Sequence, residues 1–350
     1  MLDFLIVGNG LAGIAFAELA LQNNNSVLVF DNNSQPSSKI AGGLYNPVIL
    51  KRFSEVWNAK EQLDFASIFY QQIQNKCNVV FDFKIPILRK FHSIEEQNNW
   101  FHAADKPNLS PFLDTNLVPS IYQNIAAPFH FGKVNQTGYL DVAALIEVYT
   151  SYLKSIQSFE ATTFDYDAIQ FFVDHLVYKQ FSVKNIIFAE GFGLHQNPFF
   201  NVLPLDGTKG ELLLIHAPDL KLDTIINASI FILPLGNDVY KVGATYDWND
   251  KTNSPTAIGK QELVEKLKEV VSCDFEIRKH FAGVRPTVKD RRPLVGTHPE
   301  HSRLHILNGL GTRGVMLAPY LADQLYQNIS NQIPLHKEIN CDRYYKKNRK

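Results

Sequence analysis

Cysteine is scarce: Cys77, Cys273 and Cys341 are the only three in 350 residues, far apart and without metal-ligand spacing. Such a set indicates neither a disulfide framework nor a zinc site, and it fits a reducing cytoplasm. A surplus of either charge is also lacking, with 34 Lys and Arg against 35 Asp and Glu. No overall field therefore steers the chain toward nucleic acid or an anionic membrane, and the short basic tail at 346–350 reads as a solvated end. No apolar window approaches a membrane span. The apolar start at residues 2–7 is too short, and lacks the basic flank, for a secretory signal. These absences favour a cytoplasmic protein. His92, His102 and His130 show no metal spacing, and no Ser-His-Asp or Cys-His set can be nominated for nucleophilic chemistry.

What is present begins at the N-terminus. Residues 4–7, Phe-Leu-Ile-Val, form the continuous apolar run of a strand buried on both faces. Gly8, Gly10 and Gly13 follow at once in G-x-G-x-x-G spacing: one for a sharp turn, one for close approach of a pyrophosphate, one for helix packing. The helix after them, with Leu11 and Ala12 in its first turn, directs its N-terminal amides at the phosphates. A second strand, 26–30, ends at Asp31, where a carboxylate accepts ribose hydroxyls and repels a 2′-phosphate. The order strand, glycines, helix, strand, acid points to dinucleotide binding, and to FAD or NAD rather than NADP.

Further along, residues 32–52 are rich in turn formers, with Ser37, Ser38, Gly42 and Gly43; this is either a surface loop or a second wall over the pyrophosphate. A helix is expected over 55–74 and strands over 77–83 and 85–90. Residues 91–131 show poor helical periodicity and read as an inserted cap. Asp141 is placed to cap a helix over 142–153. Strand-like stretches follow at 159–164, 171–178 and 185–189, the last running into Gly191 and Gly193. From 203 to 242 the pattern turns to long strands with hairpin punctuation, so a second, antiparallel domain is expected there, with an amphipathic helix at 261–271. A strand at 304–307 then leads through Gly309, Gly311 and Gly314 into a last helix reaching about residue 329.

Taken together, these residues resemble the FAD-dependent oxidoreductases of the D-amino acid oxidase superfamily, most closely its glycine oxidase and sarcosine oxidase branch. The resemblance covers nearly the whole chain. It rests on G-N-G-L-A-G with Asp31, A-G-G-L at 41–44, T-K-G-E at 208–211, V-G-A-T at 242–245, G-V-R-P-T-V-K-D at 283–290 and the final glycine-rich helix start. It implies an α/β fold: a Rossmann-type FAD-binding domain (1–80, 138–202 and 281–350) interleaved with an antiparallel α+β substrate domain (81–137 and 203–280). FAD would lie with Leu11, Ala12 and Gly13 on its pyrophosphate and with Asp31 and Asn32 on its ribose. Ser37, Ser38, Gly42, Gly43 and Leu44 would line its phosphate and flavin side, Phe164 would touch adenine, and Gly191 would sit at the ligand end of the sheet. Leu310, Gly311, Thr312, Arg313, Gly314, Val315 and Met316 would run along the flavin pyrimidine edge. Arg285 matches the arginine that grips a substrate carboxylate, and Tyr246 falls at a pocket-lining position.

The implied chemistry is hydride transfer from the carbon beside an amine to flavin N5, leaving an imine that water hydrolyses. No side-chain base is strictly required, since a neutral amine lone pair drives hydride loss and the protein positions and stabilises. The substrate would be a small amino acid or an N-substituted glycine. One departure matters. Where glycine oxidases carry an additional carboxylate-binding arginine, this register gives Thr312 with Arg313 beside it. The string G-L-G-T-R-G is similar to the FAD domain of the bifunctional bacterial enzyme that finishes 5-methylaminomethyl-uridine in tRNA. Two alternatives therefore stand beside the amine oxidase: a tRNA-modifying oxidase removing a carboxymethyl group from a wobble uridine, and a non-catalytic dinucleotide-binding protein.

Overall fold

The computed structural model describes residues 1–345; the basic tail at 346–350 lies outside the described residues. Its organising sheet is parallel at the centre. Leu2–Val7 lies between Val27–Phe30 and Phe181–Phe188, with Val7 opposite both Phe30 and Phe188. Phe159–Glu160 adds parallel to the outer side of Val27–Phe30. Phe181–Phe188 divides its other edge between two partners. Its first half pairs antiparallel with Leu176–Tyr178 and its second half parallel with Leu304–Asn308.

The run at residues 4–7 is apolar throughout because alternate side chains feed different cores. Phe4 and Ile6 pack into the core under the helices Leu11–Gln22, Ala59–Cys77, Val142–Ser155 and Gly314–Asn331. Leu5 and Val7 pack into the core on the opposite face, with Phe30, Tyr178 and Phe188. The helical core also holds a charge: Glu18 is fully buried, 2.6 Å from Lys76 Nζ, and accepts a hydrogen bond from Tyr149 Oη at 2.9 Å.

The second sheet has seven strands in the order Glu276–Val288, Leu205–His216, Val239–Gly243, Phe231–Pro234, Ile225–Asn227, Ile87–Lys90, Phe131–Val134. All its neighbours are antiparallel except Ile225–Asn227 with Ile87–Lys90, which join two distant parts of the chain in parallel. Its first two strands pair from Leu205 opposite Val288 to His216 opposite Glu276, which sets Thr208 opposite Arg285 and Gly210 opposite Gly283.

Several elements differ from the expectations above. Residue 77 ends a helix, and the strand after it is only Asp82–Lys84. The segment 91–131 contains a helix, Ile94–Ala104, whose Ser93 Oγ accepts from Glu96 N at 3.1 Å. Residues 171–178 are not one strand: Ile169–Phe171 and Leu176–Tyr178 form a hairpin. Position 281, drawn as a domain boundary, lies inside the strand Glu276–Val288, so Arg285 is carried by the second sheet. The Asp141 cap is present, its carboxylate accepting from Ala144 N at 3.0 Å. Among the described residues no helix is long and apolar enough to cross a membrane.

Candidate functional site

The site starts where Leu2–Val7 ends. Gly8 has φ +104°, and a Cβ on it would stand 2.5 Å from the carbonyl oxygen of Ala189 at the end of the neighbouring strand. A Cβ on Gly13 would stand 1.8 Å from the Gly8 carbonyl. Helix, turn and adjacent strand thus approach more closely than any side chain allows, which is why these positions carry glycine. Asp31 closes the turn from the other side: its Oδ2 accepts from Asn9 N and its Oδ1 from Asn33 N, both at 2.6 Å. Each oxygen retains a lone pair for a ribose hydroxyl.

The second bend comes from residues 37–44. Ser37–Ile40 is a single helical turn, after which Gly43 has φ +71° and lies against Leu140, whose carbonyl oxygen would be 1.9 Å from an added Cβ. The second sheet holds this bend in place. Lys241 Nζ donates to Ala41 O at 3.1 Å, and the Phe231 ring lies where a Cβ on Gly42 would be 2.8 Å away. The third bend precedes the helix Gly314–Asn331. Gly311 has φ +58° with open space where a Cβ would project, and its N–H donates to Pro286 O at 3.0 Å, tying this loop to the strand that bears Arg285.

All three bends open into one cleft, lined by Gly8 and Gly10, by Gly42 and Gly43, and by Gly311 and Gly314. Leu11, Ala12, Asp31, Asn32, Ser37, Ser38, Leu44, Phe164 and Gly191 line it as well, as do Leu310, Thr312, Val315, Tyr246 and Arg285. Gly13, Arg313 and Met316 lie outside that lining; Gly13 serves the packing of turn on helix. Phe164 is buried and stacked on Tyr178, with ring centroids 4.3 Å apart. The cleft also takes in Glu190, which sequence reasoning passed over.

On the strand Glu276–Val288, Arg285 extends past Gly210, where a Cβ would lie 1.9 Å from its Nη2, and its Nη1 donates to Thr245 O at 3.3 Å. Burial lowers the pKa of its guanidinium, partly opposed by Tyr246. Among the described residues no carboxylate forms an ion pair with it. Asp290, the partner a structural role would call for, is instead 3.0 Å from Arg343. Tyr246 is 62% exposed at the cleft mouth. Arg313, just outside the lining, has its pKa lowered by burial and by the positive charges of Arg292, Arg52 and Arg291.

The lining suits a flavin dinucleotide: bare backbone that would let phosphates approach, an acid placed to take a ribose, a helix N-terminus, and a guanidinium that forms no ion pair among the described residues. Fold and cleft define the class, a Rossmann-type dinucleotide-binding protein whose second sheet closes over the cofactor trough. Within it, this chain belongs to the DAO family of FAD dependent oxidoreductases, whose family model matches residues 3–327. It is 30% identical over 157 residues to the glycine oxidase of Bacillus subtilis, covering 43% of this chain and 41% of that protein. It is 23% identical over 366 aligned positions to the tRNA 5-methylaminomethyl-2-thiouridine biosynthesis bifunctional protein MnmC of Marinobacter nauticus, covering 94% of this chain and 55% of that protein. The chain thus spans about half the length of the curated relatives it matches. The iminodiacetate oxidase IdaA of Chelativorans sp. BNC1 shares the fold, with a TM-score of 0.80 at 15% identity over 96% of this chain and 98% of that one.

Proposed function

We propose that this protein oxidises the carbon–nitrogen bond of a small amino acid or an N-substituted glycine. The carrying observation is Arg285: a guanidinium that forms no ion pair among the described residues, in the cofactor cleft, on the strand tied to the last glycine loop. Bound FAD supplies the hydride acceptor. Arg285 would take a substrate carboxylate through two parallel hydrogen bonds, a geometry lysine cannot reproduce, and so fix the carbon beside the amine. Tyr246 would cover that carboxylate at the mouth, holding water off the guanidinium. The amides at 311–314, with the dipole of the last helix behind them, would stabilise negative charge arising at the pyrimidine edge. The matched glycine oxidase and the fold shared with an iminodiacetate oxidase support a glycine-like substrate.

The test is an anaerobic absorbance titration of the purified protein with glycine, sarcosine, D-alanine, D-proline and N-carboxymethyl amines. Bleaching of the flavin by one of these and not the others names the substrate class. No bleaching by any of them would count against a free amino acid.

A second reading, oxidation of a glycine-like group carried on tRNA, is favoured by Arg313 and its neighbours. Arg52, Arg291 and Arg313 form no ion pair among the described residues, and Arg313 follows Thr312 of the cleft lining. Phosphates along an RNA would neutralise such a cluster. Turnover of carboxymethylaminomethyl-uridine in tRNA, falling steeply with salt, together with none on free amines, would select this reading.

A further inference from the structure

Glu190 stands between Ala189, whose carbonyl abuts the Gly8 turn, and Gly191, which lines the cleft in the left-handed region at φ +57°. The Glu190 Cα would be 3.3 Å from a Cβ at Gly8, so this residue flanks the bend where a pyrophosphate would approach. Its carboxyl accepts from Tyr166 Oη on one oxygen and from Asn197 Nδ2 at 2.8 Å on the other. Gly191, next in the chain, is itself pinned by Asn308 Nδ2, which donates to its carbonyl at 2.9 Å.

No cation among the described residues answers this acid. Among the described residues it forms no ion pair. The groups against its carboxyl are Tyr166 from the turn Tyr166–Ala168 and Asn197 just beyond the turn Gly191–Gln196; Asp31 lines the same cleft, and His195 lies on the turn that Glu190 precedes. Burial pushes its pKa up to about 7, against the two hydrogen bonds, which act to lower it. Burial and the neighbouring carboxylate hold Tyr166 far above the usual tyrosine range, so it remains a donor. A dinucleotide seated in this cleft would bring further negative charge toward a residue that lines it and forms no ion pair among the described residues, and like charge favours the neutral acid.

We propose that Glu190 is a cofactor-facing acid whose protonated form accepts FAD, so that the protein takes up a proton when the dinucleotide binds the Gly8–Gly10 turn. The sign follows from linkage: the FAD-bound state holds the proton more tightly than the apoprotein. Affinity is therefore level below the apoprotein's titration near neutrality. Above it, affinity falls by at most about tenfold per pH unit, the limit for one proton.

The test is FAD binding to the apoprotein, followed by flavin fluorescence from pH 6 to 9. Calorimetry at pH 8 in two buffers of different ionisation enthalpy then counts the protons taken up. Wild-type protein should show Kd constant to about pH 7 and rising above it, with net proton uptake. Glu190→Gln should bind with a Kd that no longer varies over this range. Tyr166→Phe, which removes one hydrogen bond to the ionised form, should move the break to higher pH. Absence of proton uptake in the wild type, or an unchanged pH slope in Glu190→Gln, would overturn the proposal. Failure to bind FAD at any pH would overturn the cofactor assignment and the proposal with it.

Discussion

The Arg285 guanidinium carbon lies 4.7 Å from the centroid of the Tyr246 ring, a cation–π contact at the mouth of the cofactor cleft. In place of a carboxylate, the arginine has an aromatic face on one side and the Thr245 carbonyl on another. Both are weaker partners than an anion, so the guanidinium keeps its bidentate edge for a ligand.

Arg285→Lys and Arg285→Ala should therefore raise the substrate concentration for half-maximal anaerobic flavin reduction. A lost charge-assisted hydrogen bond costs about 1.5–3 kcal/mol, on the order of 10–100-fold. Unchanged half-saturation in both variants would remove Arg285 from the site.

Gly210→Ala should act on the same step without touching the arginine's chemistry. The added Cβ would be 1.9 Å from Arg285 Nη2, the movable end of a long side chain, so the guanidinium is displaced and the fold survives. Half-saturation should rise while the melting temperature changes little; a normal half-saturation would mean that the arginine's position is unimportant.

Gly13→Ala meets backbone instead. Its Cβ would stand 1.8 Å from the Gly8 carbonyl, and neither the turn nor the helix can yield. Overpacking of this kind costs about 1–3 kcal/mol or more, and here it falls on the turn expected to take the cofactor phosphates. The variant should purify colourless or unfold; a yellow protein of wild-type stability would contradict this account of the turn.

Lys76→Met would leave Glu18 buried without its ion-pair partner, retaining only hydrogen bonds such as that from Tyr149. Breaking a buried pair from one side typically costs about 3–5 kcal/mol. Urea unfolding should show a loss of that order, and a loss below about 1 kcal/mol would show that the pair contributes little.

Acid should destabilise the fold through His305. Fully buried between Thr297 Oγ1 and Asn185 Oδ1, its imidazole has a pKa lowered to about 3 by desolvation and the charge of Arg303. In the unfolded chain it titrates near 6.5, so between those values the unfolded state binds the extra proton. Stability is complete above about pH 6.5 and declines on acidification, by at most about 1.4 kcal/mol per pH unit. His305→Gln should flatten the acid limb of a melting-temperature profile; an identical slope would mean that other groups govern it.

The legible parts of this molecule were those where backbone geometry restricts the residue. Gly8, Gly13 and Gly43 sit where a Cβ would strike a carbonyl; the first two were marked by their spacing between a strand, a helix and an acid, whereas Gly43 could be read only as part of a loop rich in turn formers. Asp31 was legible because a strand end places it. Arg285 was legible only through family resemblance, since F-A-G-V-R-P-T-V has the glycine and proline of a loop. In fact it lies within a 13-residue strand opposite Leu205–His216, and this is why a boundary at 281 cuts through an element. The helix Ile94–Ala104 escaped because its Gln- and Asn-rich face blurs the apolar period, although Ser93 and Glu96 have the spacing of a capping box. Glu190 could not be read at all. Its significance depends on Tyr166 and Asn197, which only the folded chain brings to it.

The parallel union of Ile87–Lys90 with Ile225–Asn227, and of Leu2–Val7 with Phe181–Phe188, has a cost during synthesis. Leu2–Val7 must wait until residues 181–188 have been synthesised before that neighbour exists. Until then an apolar ribbon is left uncovered, so a truncated version of this chain should be a target for chaperones and proteases rather than a working half-enzyme.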